Sequence, residues 1–182
     1  INKFVSSISK PRKVLVLVPS GPALDEVISL LIQYLDSNDI LIDGGNTNPN
    51  VSFENHQTIK SKNLLYLGMG VSGGVEGVLK GPSIMIGGDT NAFNQVKNIF
   101  SRITSETING SKSFEFFGDS NQGHFVKMIH NGIEYVEMQL ISSIYYLMIN
   151  SKKYMYEDVT KIFKKWNDID LNSYLLEISL SL

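Results

Sequence analysis

The chain has 182 residues, which is enough for one domain with a buried core, or for one domain and part of another. Its 42% hydrophobic and 19% charged residues and net charge of −2 are ordinary for a globular protein; they exclude the basic footprint of a nucleic-acid binder, and its apolar runs fall short of the roughly 18 residues of a membrane span. The absence of cysteine excludes disulfides and thiolate metal sites and fits a reducing compartment, and with only His56, His124 and His130 present no histidine-based metal site is expected.

The opening "INKFVSSISK" has neither a starting methionine nor the apolar core of a signal peptide, so the sequence reads as the interior of a longer chain. "VLVLV" (Val14–Val18) is a continuous apolar run, expected of a strand covered on both faces in a parallel sheet. A helix over 22–35 follows, with Leu24, Val27, Ile28, Leu31 and Leu35 on one stripe. Next come a strand in "ILIDGG", a helix entered at "TNPN" and a strand in "LLYLG". Asn48 is the expected N-cap of that helix, and Pro49 suits its first position. "SIMIGG", a helix over 92–103 and "FEFFG" complete an alternation of strand and helix, the signature of βαβ units and a mostly parallel sheet. From Gly123 the periodicity is helical only, over 123–149, 156–166 and 173–182. A boundary near Asn121 divides an α/β layer, residues 1–121, from the start of an all-helical domain, residues 122–182.

Gly68, Gly70 and Gly73 spell a literal G-x-G-x-x-G after a strand, with Asp89 about 20 residues on. A dinucleotide fingerprint needs a crossover helix starting at its third glycine, so that N–H groups and helix dipole meet the pyrophosphate. Gly74, Gly77, Gly81 and Pro82 interrupt anything longer than about two turns, and the fingerprint reading is rejected. "VSGGVEGVLKGP" reads instead as a flexible loop past the carboxyl end of a strand, the edge where open α/β sheets bind ligands. Ser72 offers a hydroxyl there, and Gly73 and Gly74 offer unobstructed N–H groups. Spacing alone leaves this open against a tight connection that needs positive φ. "DGGN" (Asp43–Asn46) divides the same way, between presentation of Asn46 at that edge and a simple helix entry.

On a helical wheel, His130, Asn131 and Glu134 fall within about 60° of Lys127, while Phe125, Met128, Ile129, Ile133, Val136 and Leu140 form an apolar side expected to face the core. Lys127 and Glu134 are separated by about 10 Å of helix rise, close enough for both to reach one small molecule. A desolvated lysine can act as a base and a shielded glutamate as an acid, with His130 and Asn131 holding hydroxyl or carboxylate oxygens. A half-exposed helix shows the same polar stripe with no chemistry attached. Tyr135 and Trp166 read as packed residues, and His56 and His124 as isolated ones.

Taken together, "LIDGGN", "VSGG", "GPSIMIGG", "GHFVKMIHNGIEYVEMQLI" and "KKWN" resemble the 6-phosphogluconate dehydrogenase family along essentially the whole chain. The resemblance implies an α/β Rossmann-like, doubly wound, mostly parallel sheet whose first strands and nucleotide fingerprint lie before residue 1, followed by the start of the helical domain. It implies NADP-dependent oxidative decarboxylation of 6-phosphogluconate to ribulose 5-phosphate and carbon dioxide, in a cytoplasmic enzyme that is a homodimer when complete. Lys127 would be the base and Glu134 the acid. Asn46, Ser72, Gly73, Gly74, His130, Asn131 and Tyr135 would bind the substrate; Val18, Pro19, Ser20 and Asn46 would contact NADP. No metal is implied. Two positions depart from the family pattern: Pro19 stands where many members carry lysine, and Val75 where an acidic residue is common. A β-hydroxyacid dehydrogenase acting without decarboxylation is the neighbouring alternative; a non-catalytic fragment unable to bind cofactor is the alternative of a different class.

Overall fold

A computed structural model describes residues 1–107 and 109–180, with backbone alone at 76 and 78. The chain forms two compact units, Ile1–Met128 and Ile129–Leu182. The first contains α1 (Asn2–Ser6), β1 (Lys13–Val16), α2 (Pro22–Leu31), β2 (Ile40–Asp43), α3 (Pro49–Lys60), β3 (Leu65–Ser72), α4 (Gly74–Lys80), β4 (Ser83–Gly88), α5 (Thr90–Ile103) and β5 (Phe114–Phe116). Helix α6 (Gln122–Asn150) begins in this unit; its later turns, α7 (Tyr156–Asp168) and α8 (Tyr174–Ser179) belong to the second.

The strands lie in the order β1-β2-β3-β4-β5, and every neighbouring pair is parallel except β3 with β4. Alternation of side chains across the pleat creates two cores. On one face Val14, Val16, Leu41 and Tyr66 pack with Leu24, Ile28 and Leu31 of α2 and Ile59 of α3. On the other, Ile40, Ile42, Leu67, Met69, Ile84 and Ile86 pack with Ala92, Val96 and Phe100 of α5. All four residues of β2 are buried, as a central parallel strand covered on both sides demands. The expected doubly wound, mostly parallel sheet is the observed one.

Asn48 caps α3 by accepting the Asn50 N–H at 2.9 Å, with Pro49 in the first turn, as the sequence predicts. Three expectations need correction here, and one short helix is unexpected. Helix α2 ends at Leu31; the chain turns there, and Leu35 packs on the core from the turn. The expected flexible loop after β3 is helix α4, seven residues long, because Gly73 and Gly74 take φ of 138° and 53° and turn the chain directly into a helix. The five-residue α1 carries no periodicity long enough to announce it. The apolar side of α6 is not core: Ile129, Ile133, Val136 and Leu140 are 46–64% exposed, and among the described residues nothing buries them. In the second unit Val159, Phe163 and Leu176 form a small core with Ile141 and Trp166 against it, Phe163 and Trp166 stacking at 5.5 Å. The expected last helix is found as α8; its final residues, 181 and 182, lie outside the described residues.

Candidate active site

The carboxyl ends of β1 and β2 carry two neighbouring turns. Strand β1 stops at Val16, so Val18, Pro19 and Ser20 form a turn that leads into α2, with Pro19 and Ser20 exposed. The turn after β2 is anchored by Asp43, fully buried, whose Oδ1 accepts the Gly45 N–H at 3.0 Å. The Val18 carbonyl lies so close to Gly45 that a Cβ there would come within 3.0 Å of it. The two turns therefore pack directly together, and the second presents Asn46 at the surface.

Helix α6 enters on bare backbone. A Cβ on Gly123 would overlap the Gly68 carbonyl and come within 2.7 Å of the Met85 carbonyl. Four residues further along the helix stands Lys127, and a Cβ at Gly70 would overlap its Cβ and approach its Cγ to 2.8 Å. The stem of Lys127 thus lies flat on β3, half-buried. Residues 68, 70 and 72 share one face of the strand, so Ser72 sits on the Lys127 side, roughly 6.6 Å along from Gly70. Gly73 and Gly74 follow at once, exposed. Lys127, Ser72, Gly73 and Gly74 are thereby gathered at one strand end. The same geometry disposes of the glycine motif: Gly68 and Gly70 lie inside β3, where they make room for α6 rather than for a pyrophosphate.

A buried chain of polar groups runs beneath this surface. His124 Nδ1 and Ser52 Oγ are 2.8 Å apart, Ser52 Oγ and the Tyr66 hydroxyl 3.1 Å, and that hydroxyl donates to Asp43 Oδ2 at 3.3 Å. Burial pushes the His124 pKa down, although the charge of Asp43 and the carbonyls of Gly45 and Asp43 oppose it. Burial and the Asp43 charge push the Tyr66 hydroxyl well above its usual range, so it keeps its proton. His56 is not isolated either: it stacks on Tyr66 at 5.5 Å and places Nε2 3.3 Å from Asp89. Sequence reasoning passed over both histidines. The available signal was a register match, glycines two apart on a strand (Gly68, Gly70) against His124 and Lys127 three apart on a helix.

In the second unit His130 Nδ1 lies 3.3 Å from Glu134 Oε2 and 3.4 Å from Asn131 Oδ1, a cluster on one stripe of α6 as the wheel predicts. Tyr135 is 66% exposed rather than packed.

Residues 1–111 match the model of the NAD binding domain of 6-phosphogluconate dehydrogenase, and residues 123–182 that of the 6-phosphogluconate dehydrogenase C-terminal domain. The decarboxylating 6-phosphogluconate dehydrogenases of Staphylococcus epidermidis and Staphylococcus aureus are 42% and 43% identical over 179 residues, which is 98% of this chain and 38% of theirs. The chain therefore spans under two-fifths of the length of the curated relatives it matches. The solved 6-phosphogluconate dehydrogenase of Plasmodium falciparum, described apo, with its cofactor NADP+ and with its substrate 6-phosphogluconate, superposes with a TM-score of 0.92 at 40% identity over all of this chain and 38% of that one. Mycobacterium tuberculosis 3-hydroxyisobutyrate dehydrogenase shares the fold, with a TM-score of 0.77 at 17% identity over 94% of this chain and 55% of its own. By the family model that covers most of its length, this chain belongs to the 6-phosphogluconate dehydrogenase family.

Proposed function

We propose that the protein carrying this chain oxidises and decarboxylates 6-phosphogluconate to ribulose 5-phosphate and carbon dioxide, with NADP as cofactor. The observation that carries the reading is the stem of Lys127 laid on Gly70, on the strand face that ends at Ser72 and the glycine pair. In this reading residues 1–121 belong to the cofactor-binding domain and residues 122–182 open the helical one. The complete protein is a cytoplasmic homodimer, and the exposed apolar side of α6 supports its meeting further protein.

The residues present suit the cofactor's edge of such a site. Two sheet-end turns lie together, one formed by half-buried Val18 with exposed Pro19 and Ser20 at the entry to α2, the other presenting Asn46. NADP, when bound, supplies the hydride acceptor. Lys127 takes the proton of the substrate's 3-hydroxyl and returns one to the 3-keto oxygen as carbon dioxide leaves. Glu134, paired with His130, protonates the resulting enediol. Asn46, Ser72, Gly73, Gly74, His130 and Asn131 hold the sugar acid, and exposed Tyr135 reaches its phosphate.

The full-length protein is expected to form NADPH and carbon dioxide in equal amounts from 6-phosphogluconate. Lys127→Ala is expected to lower kcat by about a thousandfold or more, the scale of a lost general base. Near-normal turnover by that variant would overturn the assignment of Lys127, and NADPH without carbon dioxide would mark a non-decarboxylating β-hydroxyacid dehydrogenase.

A further inference from the structure

The buried chain His124–Ser52–Tyr66–Asp43 has no place in the reaction just described, yet it joins two of the groups that do. Asp43, Ser52 and Tyr66 are completely buried and His124 is 2% exposed. Four polar side chains taken from water incur a desolvation penalty that apolar packing of the same volume would avoid. What such a network supplies is geometry, since each member fixes the next. Room for it is made deliberately: a Cβ at Gly68 would stand 2.8 Å from both His124 Nδ1 and Ser52 Oγ.

The two ends of the chain are informative. At one end Asp43 spends its second oxygen on the Gly45 N–H, the residue directly before Asn46. At the other end His124 lies in the first turn of α6, three residues ahead of Lys127. Between them Ser52 sits on α3, whose N-terminal Pro49 carbonyl also accepts the Asn121 side chain at 3.0 Å. The turn that bears Asn46 and the helix that bears Lys127 are thus linked through one hydrogen-bonded path.

We infer that His124, acting through Ser52, Tyr66 and Asp43, is a positioning residue that holds the Asn46 turn in register with Lys127. It touches neither substrate nor cofactor. The inference deepens the proposed function and rests on it for its kinetic consequence, but its structural half stands separately.

The test uses the full-length protein with Tyr66→Phe, which keeps the ring and removes both hydroxyl links, and with His124→Leu and His124→Asn. Tyr66→Phe and His124→Leu should lower kcat per folded molecule by about tenfold or more, since small misplacements of a reacting group are costly, with KM for 6-phosphogluconate within about threefold of wild type. His124→Asn, whose amide can meet Ser52 where Nδ1 does, should restore kcat to within about threefold of wild type. Amide exchange at Gly45 should accelerate about tenfold in Tyr66→Phe as the Asp43 anchor loosens. Wild-type kcat per folded molecule in both Tyr66→Phe and His124→Leu, lower melting temperature notwithstanding, would overturn the positioning role and leave the chain merely structural. Unchanged Gly45 exchange would overturn the mechanical link itself. A wild-type protein inert toward 6-phosphogluconate would instead sink the functional reading, with the exchange measurement still deciding the link.

Discussion

Gly70 decides how near Lys127 stands to the sheet. Any side chain there would meet Cβ of the lysine, an atom fixed to the helix backbone, rather than its mobile amine end. The helix would have to lift, and with it the amine. Gly70→Ala is therefore expected to destabilise the protein by about 2 kcal/mol, the scale of overpacking, and to lower kcat by up to about a hundredfold through displacement of Lys127. Urea midpoints and turnover at saturating substrate check the two parts. Wild-type turnover in a folded Gly70→Ala enzyme would show that the helix does not need this seat. At this scale the sequence displayed the polar stripe of α6 clearly, because a 3.6-residue period is written in the spacing itself. His130, Asn131 and Glu134 do cluster as that period requires. It could not display the contact of Lys127 with Gly70, or of His124 with Ser52, because both join positions more than fifty residues apart.

Helix α3 shows how well an element can be read from local chemistry. Asn48 caps it, Pro49 opens it, and both roles follow from backbone groups that a helix terminus leaves unpaired. Asn48→Ala is expected to cost about 1 kcal/mol of stability, and Asn48→Asp to keep most of it, with kcat unchanged in both. Equal stability of the alanine variant in urea would mean that the Asn50 N–H finds another acceptor. Elements whose signals are local, namely the strands and helices α2, α3 and α5, were legible to within a few residues. Helix α4 was not: its two positive-φ glycines mark a turn and its third a break, although here the turn and the helix are one motif. The apolar side of α6 was misread for a different reason. Periodicity says that a face avoids water, and it is silent about what covers it; Ile133 and Val136 remain more than 60% exposed.

Across the whole molecule, the ionisable groups buried in the sheet layer make stability depend on pH in two separate windows. Although burial pushes Asp39 up, the N–H groups of Asp36 and Arg12 and the Arg12 guanidinium 2.7 Å away hold its carboxyl below the usual range. Burial acts on Asp89 too, and His56 and the Tyr66 N–H outweigh it. A carboxyl depressed by folding binds its proton more readily in the unfolded chain, so its stabilisation is complete above about pH 4 and is lost as pH falls further. His124 works in the same direction at higher pH. Burial holds its folded pKa below the ordinary value of about 6.5, so the unfolded chain gains a proton first as the solution is acidified. Stability should accordingly begin to fall near pH 6.5, well before the carboxylates respond, and fall again below about pH 4. His124→Asn removes the first window and leaves the second, because its amide does not titrate. Melting temperatures of wild type and His124→Asn, measured from pH 7.5 to pH 3, should run parallel above about pH 7 and differ in slope once pH falls below about 6.5, where only the wild type loses stability to this histidine. Parallel curves between about pH 6.5 and pH 5 would show that some group other than His124 takes up the proton on unfolding there.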